Sequence, residues 1–556
     1  MIDLLSPKDP QEQRKGFYVL LDQKVGGEPQ PDGVGRHPIF LDGDRLTTLA
    51  KIVGGVSDED ILRRLTTASG FHQAVHSIGV SASAADSKLE MKFSLVFYGD
   101  GPVDRYSFQM KADGVETEIL LSELAYADQP LGQFLFELPT DQDIAVVTVK
   151  LYLNDGYDAP EIDPDGPVDM ASCAYHEMIA RSFLSGGNNY RVKRFLEKLK
   201  DGHDVTIAYL GGSITQGAGA VPIQAKCYAR KSFEAIRSQY ASVAERFHYI
   251  KAGVGGTPSQ LGILRYDRDV RRDWAGQPDL VVIEFAVNDE GDETKGVCYE
   301  SLVRKVLDQP NCPAIILLFS VFANDWNLKE RLAPIGFRYQ LPMVDVLDAV
   351  SPQFVLSKDA GRVVSKRQFF YDIYHPSNIG HEIMADCLLY LLNRLDRQTL
   401  MPPPKDSPPL YGTYYAGVRL LDRKCGFQAA RITPGGFTQR DKDLQTVPLD
   451  NDTKNTPQFP YNWQKGPGGT PFILEISCKS LMLIFKDSEK RSFGKAQVRV
   501  DGVLTRTLDP RAVGWTHCHA TLLFHGQKSR YHRIEISMVT EDKDKTFTIL
   551  GFGYVP

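Results

Sequence analysis

VTIAYLGGSITQG, residues 205–217, begins as a short, mainly apolar run and ends in a cluster of small residues. An apolar run of this length bounded by glycine reads as a strand buried on both faces, the pattern of a parallel sheet. Gly211 and Gly212 allow a tight turn and leave Ser213 at the carboxyl end of that strand. Open α/β sheets place their ligands at such ends. Just upstream, YRVKRFLEKLK (190–200) has helical spacing, and Gly202 stops it. Downstream, apolar runs recur at FHYI (247–250), LVVIEF (280–285) and AIILLF (314–319), with helix-compatible segments between them. This alternation predicts a doubly wound parallel sheet of α/β class. Its last helix is opened by Pro376 and Ser377, carries an apolar face from Ile379 to Leu395, and ends near residue 397.

The rhythm differs on both sides of this region. Between about 88 and 153, segments such as KLEMKFSLVFYGD and DIAVVTVKLYL alternate with period two between turn signals, which predicts a β-sandwich. The stretch 154–169 is rich in Asp, Pro and Gly and reads as a solvated loop, without the spacing of a calcium loop. After the α/β region, MPPPKDSPPL (401–410) reads as a stiff, extended linker. Beyond it, FILEIS, LMLIFK, KAQVRVDG and HRIEISMV again alternate, predicting a second β-sandwich. The expected division is therefore 1–170, 171–400, the linker 401–410, and 411–556. A chain of 556 residues is long enough for about three domains.

Composition narrows the functional classes. With 42% hydrophobic and 24% charged residues the chain is an ordinary globular one. A net charge of -6 with scattered lysines and arginines argues against nucleic acid as a partner. No run approaches the roughly 18 apolar residues of a membrane span, and MIDLLSPKDPQEQRKGF lacks the apolar core of a secretory signal. No membrane association and a cytoplasmic location are expected. The eight cysteines stand singly and read as reduced thiols.

Four short motifs follow four of the segments in order. GGSIT ends the first strand. Lys251-Ala252-Gly253-Val254-Gly255-Gly256-Thr257 follows the second, a glycine-rich turn able to present backbone N–H groups. Ala286-Val287-Asn288-Asp289 ends the third with an amide and a carboxylate. Asp372-Ile373-Tyr374-His375-Pro376 precedes the last helix, a spacing that lets carboxylate and imidazole share one loop. Each motif alone fits a plain turn; their order is the informative feature. His381 reads as a packing or capping residue. His517 and His519 flank Cys518 and share a strand face, yet no metal and no cofactor are predicted.

In that order, over about residues 190–397, the four motifs resemble the blocks of the SGNH (GDSL-like) hydrolase superfamily. The resemblance implies a flavodoxin-like central domain flanked by jelly-roll-like β-sandwiches. It assigns a catalytic triad of Ser213, Asp372 and His375, and an oxyanion hole from the Ser213 and Gly256 N–H groups and Asn288. Gly253 and Gly255 are rival placements for the glycine. Two departures stand out: Gly211-Gly212-Ser213 replaces the usual G-D-S, and Ala286-Val287-Asn288-Asp289 the usual G-x-N-D. With its flanking modules the chain resembles carbohydrate O-acetylesterases, including acetylxylan esterases. This implies a covalent acyl-enzyme mechanism on an acetylated oligosaccharide or other small ester. Asn324 and Trp326, in the loop after the fourth strand, are candidate substrate contacts, Trp326 reading equally as a packing residue; Glu284 reads as a buried, hydrogen-bonded strand end and is a candidate for shaping the acyl pocket. Alternative readings are a short-chain lipid or aryl esterase, and an inactive carbohydrate-binding or scaffold protein. The flanking modules are read as serving homo-oligomer assembly and substrate restriction.

Overall fold

In a computed structural model of the protein, residues 14–27, 33–98, 103–124, 129–272, 277–426, 428–452, 454–466 and 468–556 are described. The amino-terminal stretch 1–13, read above for a leader, lies outside them.

Among the described residues the amino-terminal unit has eight strands: β1 (Gly16–Gly26), β2 (Gly35–Phe40), β3 (Val75–Ser83), β4 (Glu90–Phe97), β5 (Asp104–Lys111), β6 (Thr117–Leu120), β7 (Leu131–Leu138) and β8 (Ile144–Leu153). They form two four-stranded sheets, ordered β1-β8-β3-β6 and β2-β7-β4-β5. Phe17, Ile78 and Val147 from one sheet and Phe93, Phe134 and Phe136 from the other meet in one core. Strands thus begin well before residue 88. Three short helices, Arg45–Ile52, Glu59–Arg64 and Ala68–Ala74, interrupt them, too short to show clear periodicity.

The central sheet contains the four predicted strands, β10 (Val205–Gly211), β11 (Phe247–Gly253), β12 (Leu280–Glu284) and β13 (Ala314–Phe319), with two short additions, β9 (Phe183–Ser185) and β14 (Met343–Asp345). The order is β11-β10-β12-β13-β14-β9. All neighbours run parallel except β14 and β9. The expected parallel sheet is therefore mixed: a three-residue antiparallel strand, too short to read from apolar content, closes one edge. Alternate residues feed opposite cores. Ile207, Val282 and Ile316 pack with helices Tyr190–Lys200, Tyr228–Tyr240 and Asn378–Asp396. Ala208, Ile283 and Leu317 pack with helices Ser259–Tyr266 and Val297–Leu307.

The carboxyl-terminal unit is built on one eight-stranded sheet containing the long strands Phe472–Asp487 and His517–Met538. Along the first, Leu481, Leu483 and Phe485 enter that unit's own core, while Met482 and Ile484 pack onto the central unit. Period-two alternation here serves two apolar neighbours. The proline-rich segment has no regular structure, but its end is anchored. The fully buried Glu300 carboxylate accepts N–H groups from Leu410, Tyr411 and Gly412 at 2.6, 2.6 and 2.8 Å. A buried charge demands such donors. All eight cysteines are free thiols. No helix among the described residues is long and apolar enough to cross a membrane.

Candidate active site

β10 ends at Gly211, and Ser213 begins the one-turn helix Ser213–Gln216. As the first helical residue its N–H has no intrahelical acceptor, and none is found among the described residues. The turn tolerates no side chains. A β-carbon on Gly211 would lie 2.1 Å from Thr215 Oγ1, and one on Gly212 1.9 Å from Asn288 Oδ1. The Gly-Gly pair is therefore required by what surrounds it.

Asp372 and His375 approach from the loop before the last helix. Ser213 Oγ lies 2.9 Å from His375 Nε2, and His375 Nδ1 lies 2.8 Å from Asp372 Oδ2. The other Asp372 oxygen accepts the backbone N–H groups of Tyr374 and His375, both at 2.7 Å. Burial pushes the Asp372 carboxyl up, but the imidazole beside it and these N–H donors outweigh that and hold it below the usual carboxylate range. The carboxylate thus fixes Nδ1 as the protonated nitrogen and leaves Nε2 to accept from the serine. A hydroxyl, an imidazole and a carboxylate in this chain form the arrangement that activates a serine nucleophile.

The glycine turn after β11 closes the site. Val254 N–H donates to Gly211 O at 3.1 Å, and Gly255 N–H to Gln216 Oε1 at 2.9 Å. Gly256 adopts φ +70°, a left-handed conformation suited to glycine, and its N–H has no acceptor among the described residues. The turn therefore has an open donor at Gly256, whereas that of Gly255 is occupied. Asn288 stands half-buried after β12, against Gly212, and its Oδ1 has no hydrogen-bond partner among the described residues. Its neighbour Asp289 is fully buried. It accepts the N–H and hydroxyl of Ser259 at 2.6 and 2.8 Å, fastening the third motif to the helix that follows the second.

Residues 209–383 match the model of the GDSL-like lipase/acylhydrolase family. Over these residues the central unit is similar to GDSL-like (SGNH) hydrolases. Among solved structures, a two-domain esterase (CEX) active on acetylated mannans is 26% identical, with a TM-score of 0.57, over 68% of this chain and 98% of that one. The form co-crystallized with mannopentaose is 25% identical, with the same TM-score and coverage. The chain resembles carbohydrate esterases in this respect. Comparison with curated proteins gave no match.

Within the central unit, some predicted contacts stand elsewhere than expected. Glu284 is not a substrate contact: it is fully buried, accepts from Thr215 Oγ1 at 3.1 Å and from Ser320, and burial pushes its carboxyl up to about 7. Trp326 is half-buried and packs against Phe322 and the edge of the core. Asn324 is exposed, in a loop whose Ala323 N–H bonds Ile373 O, between Asp372 and His375 in sequence. His381 is fully buried. It accepts from Tyr228 N–H at 3.1 Å and donates to Ala218 O at 3.0 Å, and burial pushes it down to about 4.

Several positioning groups escaped the sequence reading. The fully buried guanidinium of Arg265 donates to Gly211 O and Ala252 O, both at 2.7 Å, tying together the ends of β10 and β11 beside the turn that carries Ser213. From the carboxyl-terminal unit, Gln445 Nε2 donates to Gly255 O at 2.8 Å and His517 Nε2 to Gly256 O at 3.1 Å. Trp515, 42% exposed, lies so near that a β-carbon on Gly256 would meet its ring at 2.7 Å. From the other side, Tyr371 enters the amino-terminal core and bonds the buried His37. Both flanking units therefore hold loops of the site, and no local pattern signals contacts between distant segments.

Proposed function

We propose that this protein is a serine esterase that removes small acyl groups, acetyl above all, from carbohydrate. The observation that carries the reading is the unbroken Asp372–His375–Ser213 hydrogen-bond chain at 2.8 and 2.9 Å. His375 takes the Ser213 proton as the oxygen attacks the ester carbonyl, then delivers it to the departing sugar oxygen as the ester C–O bond breaks, releasing the free hydroxyl. The Ser213 and Gly256 N–H groups and the Asn288 amide receive the oxyanion; the two unoccupied backbone donors support this assignment. Water then attacks the acyl-enzyme, with His375 again as base.

Carbohydrate is favoured by the likeness to an esterase active on acetylated mannans. It is favoured also by Trp515, whose half-exposed ring beside the glycine turn suits stacking on a sugar. Acetylated manno-oligosaccharide is therefore the first substrate to test, ahead of xylan. The strand orders and shared core of the amino-terminal unit support its reading as a jelly-roll-like sandwich. The deciding experiment compares acetate release from acetylated manno- and xylo-oligosaccharides with hydrolysis of short- and long-chain nitrophenyl esters, using Ser213→Ala as control. Preference for long-chain esters refutes the carbohydrate reading. No cleavage of any of them by folded protein refutes the esterase.

A further inference from the structure

We propose that Asp487, His517 and His519 bind one zinc-like divalent cation in the carboxyl-terminal unit, beside the glycine turn of the active site. Asp487 pairs directly with His517 across two antiparallel strands, and His519, two residues on, shares its face. The Nδ1 atoms of His517 and His519 lie 2.9 and 3.1 Å from Asp487 Oδ2, and the three ligand atoms fall within 4.8 Å of one another. Tetrahedral coordination with bonds of about 2.1 Å sets ligand atoms roughly 3.4 Å apart. Adjustments of a few tenths of an ångström to somewhat over one ångström admit the ion.

Two further observations point to a cation. His517 Nε2 faces the carbonyl of Gly256, which only accepts, so that nitrogen carries the proton. In the neutral ring Nδ1 then turns a lone pair toward a carboxylate oxygen, a contact that a cation between them makes favourable. An imidazole held through its second nitrogen by a backbone carbonyl is how protein metal ligands are usually oriented. In addition, Asp487 is fully buried and its Oδ1 has no hydrogen-bond partner among the described residues. The adjacent Lys486 ammonium is engaged with Asp441 and Asp443 at 3.2 and 3.0 Å. His519 packs on Phe485 but keeps 38% of its side chain exposed, leaving a coordination position for water. Two imidazoles and one carboxylate suit zinc rather than calcium or magnesium. The ion's role is structural: it sets the ring of His517, and through it the carbonyl of Gly256.

The test uses the full chain, stripped with a chelator and titrated with Zn²⁺ by calorimetry and with Co²⁺ by visible absorption. One ion per chain is expected, with a tetrahedral Co²⁺ spectrum and a rise in thermal midpoint on adding Zn²⁺. His519→Ala, at a partly exposed position that leaves the fold intact, should weaken binding at least tenfold and abolish the thermal shift; Asp487→Asn should do the same. Absence of stoichiometric binding, or equal affinity in the native chain and both variants, overturns the site and leaves a doubly protonated His517 as the explanation of the geometry.

Discussion

Gly212→Ala probes the architecture of the site with a single methyl group. The added carbon would stand 1.9 Å from Asn288 Oδ1 and 2.5 Å from its Cγ, well inside contact distance. The Gly212 backbone, at φ -87°, lies outside the left-handed region, so the conflict is with the Asn288 side chain. Asn288 must rotate away, withdrawing one oxyanion donor. Such a loss typically costs about 10²–10³ in kcat, or roughly 3–4 kcal/mol of transition-state stabilisation. The assay is hydrolysis of nitrophenyl acetate by the native chain, Gly212→Ala, Asn288→Ala and the double variant, with thermal unfolding as a control for folding. Because both changes delete the same interaction, the double variant should be no slower than the worse single one within about threefold, with KM little altered. Losses that multiply, or a Gly212→Ala kcat within about threefold of native, refute the reasoning.

Ser213→Ala should leave at most a residual rate about 10³–10⁴-fold above the uncatalysed reaction, and a fluorophosphonate probe should label Ser213 in the native chain by mass spectrometry. Trp515→Ala should raise KM for acetylated oligosaccharide at least tenfold while leaving nitrophenyl acetate nearly unaffected; equal effects on both refute sugar stacking. The Glu284 carboxyl, pushed up to about 7, binds a proton that the unfolded chain releases near pH 4.5. Its contribution to stability is therefore complete below that pH and is lost as pH rises through 7, an effect of about 3 kcal/mol. Glu284→Gln should flatten the fall in urea-unfolding free energy between pH 5 and 8; an unchanged slope refutes the assignment.

The sequence by itself determined the central domain. Val205–Gly211, Leu280–Glu284 and Ala314–Phe319 are buried on both faces, so their apolar runs could be read without knowing their neighbours. The loop of Asp372 and His375 was equally legible, because a three-residue spacing brings carboxylate and imidazole together locally. Strands β9 and β14 were not, since three residues carry too little apolar content to stand out. Glu284 could be read as a buried, hydrogen-bonded strand end, but residue type alone gives no measure of its depth, which removes it from the substrate contacts. Only the tertiary structure decided which glycine N–H stays open, what Gly212 makes room for, and that Gln445, His517 and Trp515 reach the glycine turn from some 190–260 residues away. These contacts depend on how separate units dock. Docking is set by the fit of whole surfaces, which periodicity within one segment does not encode.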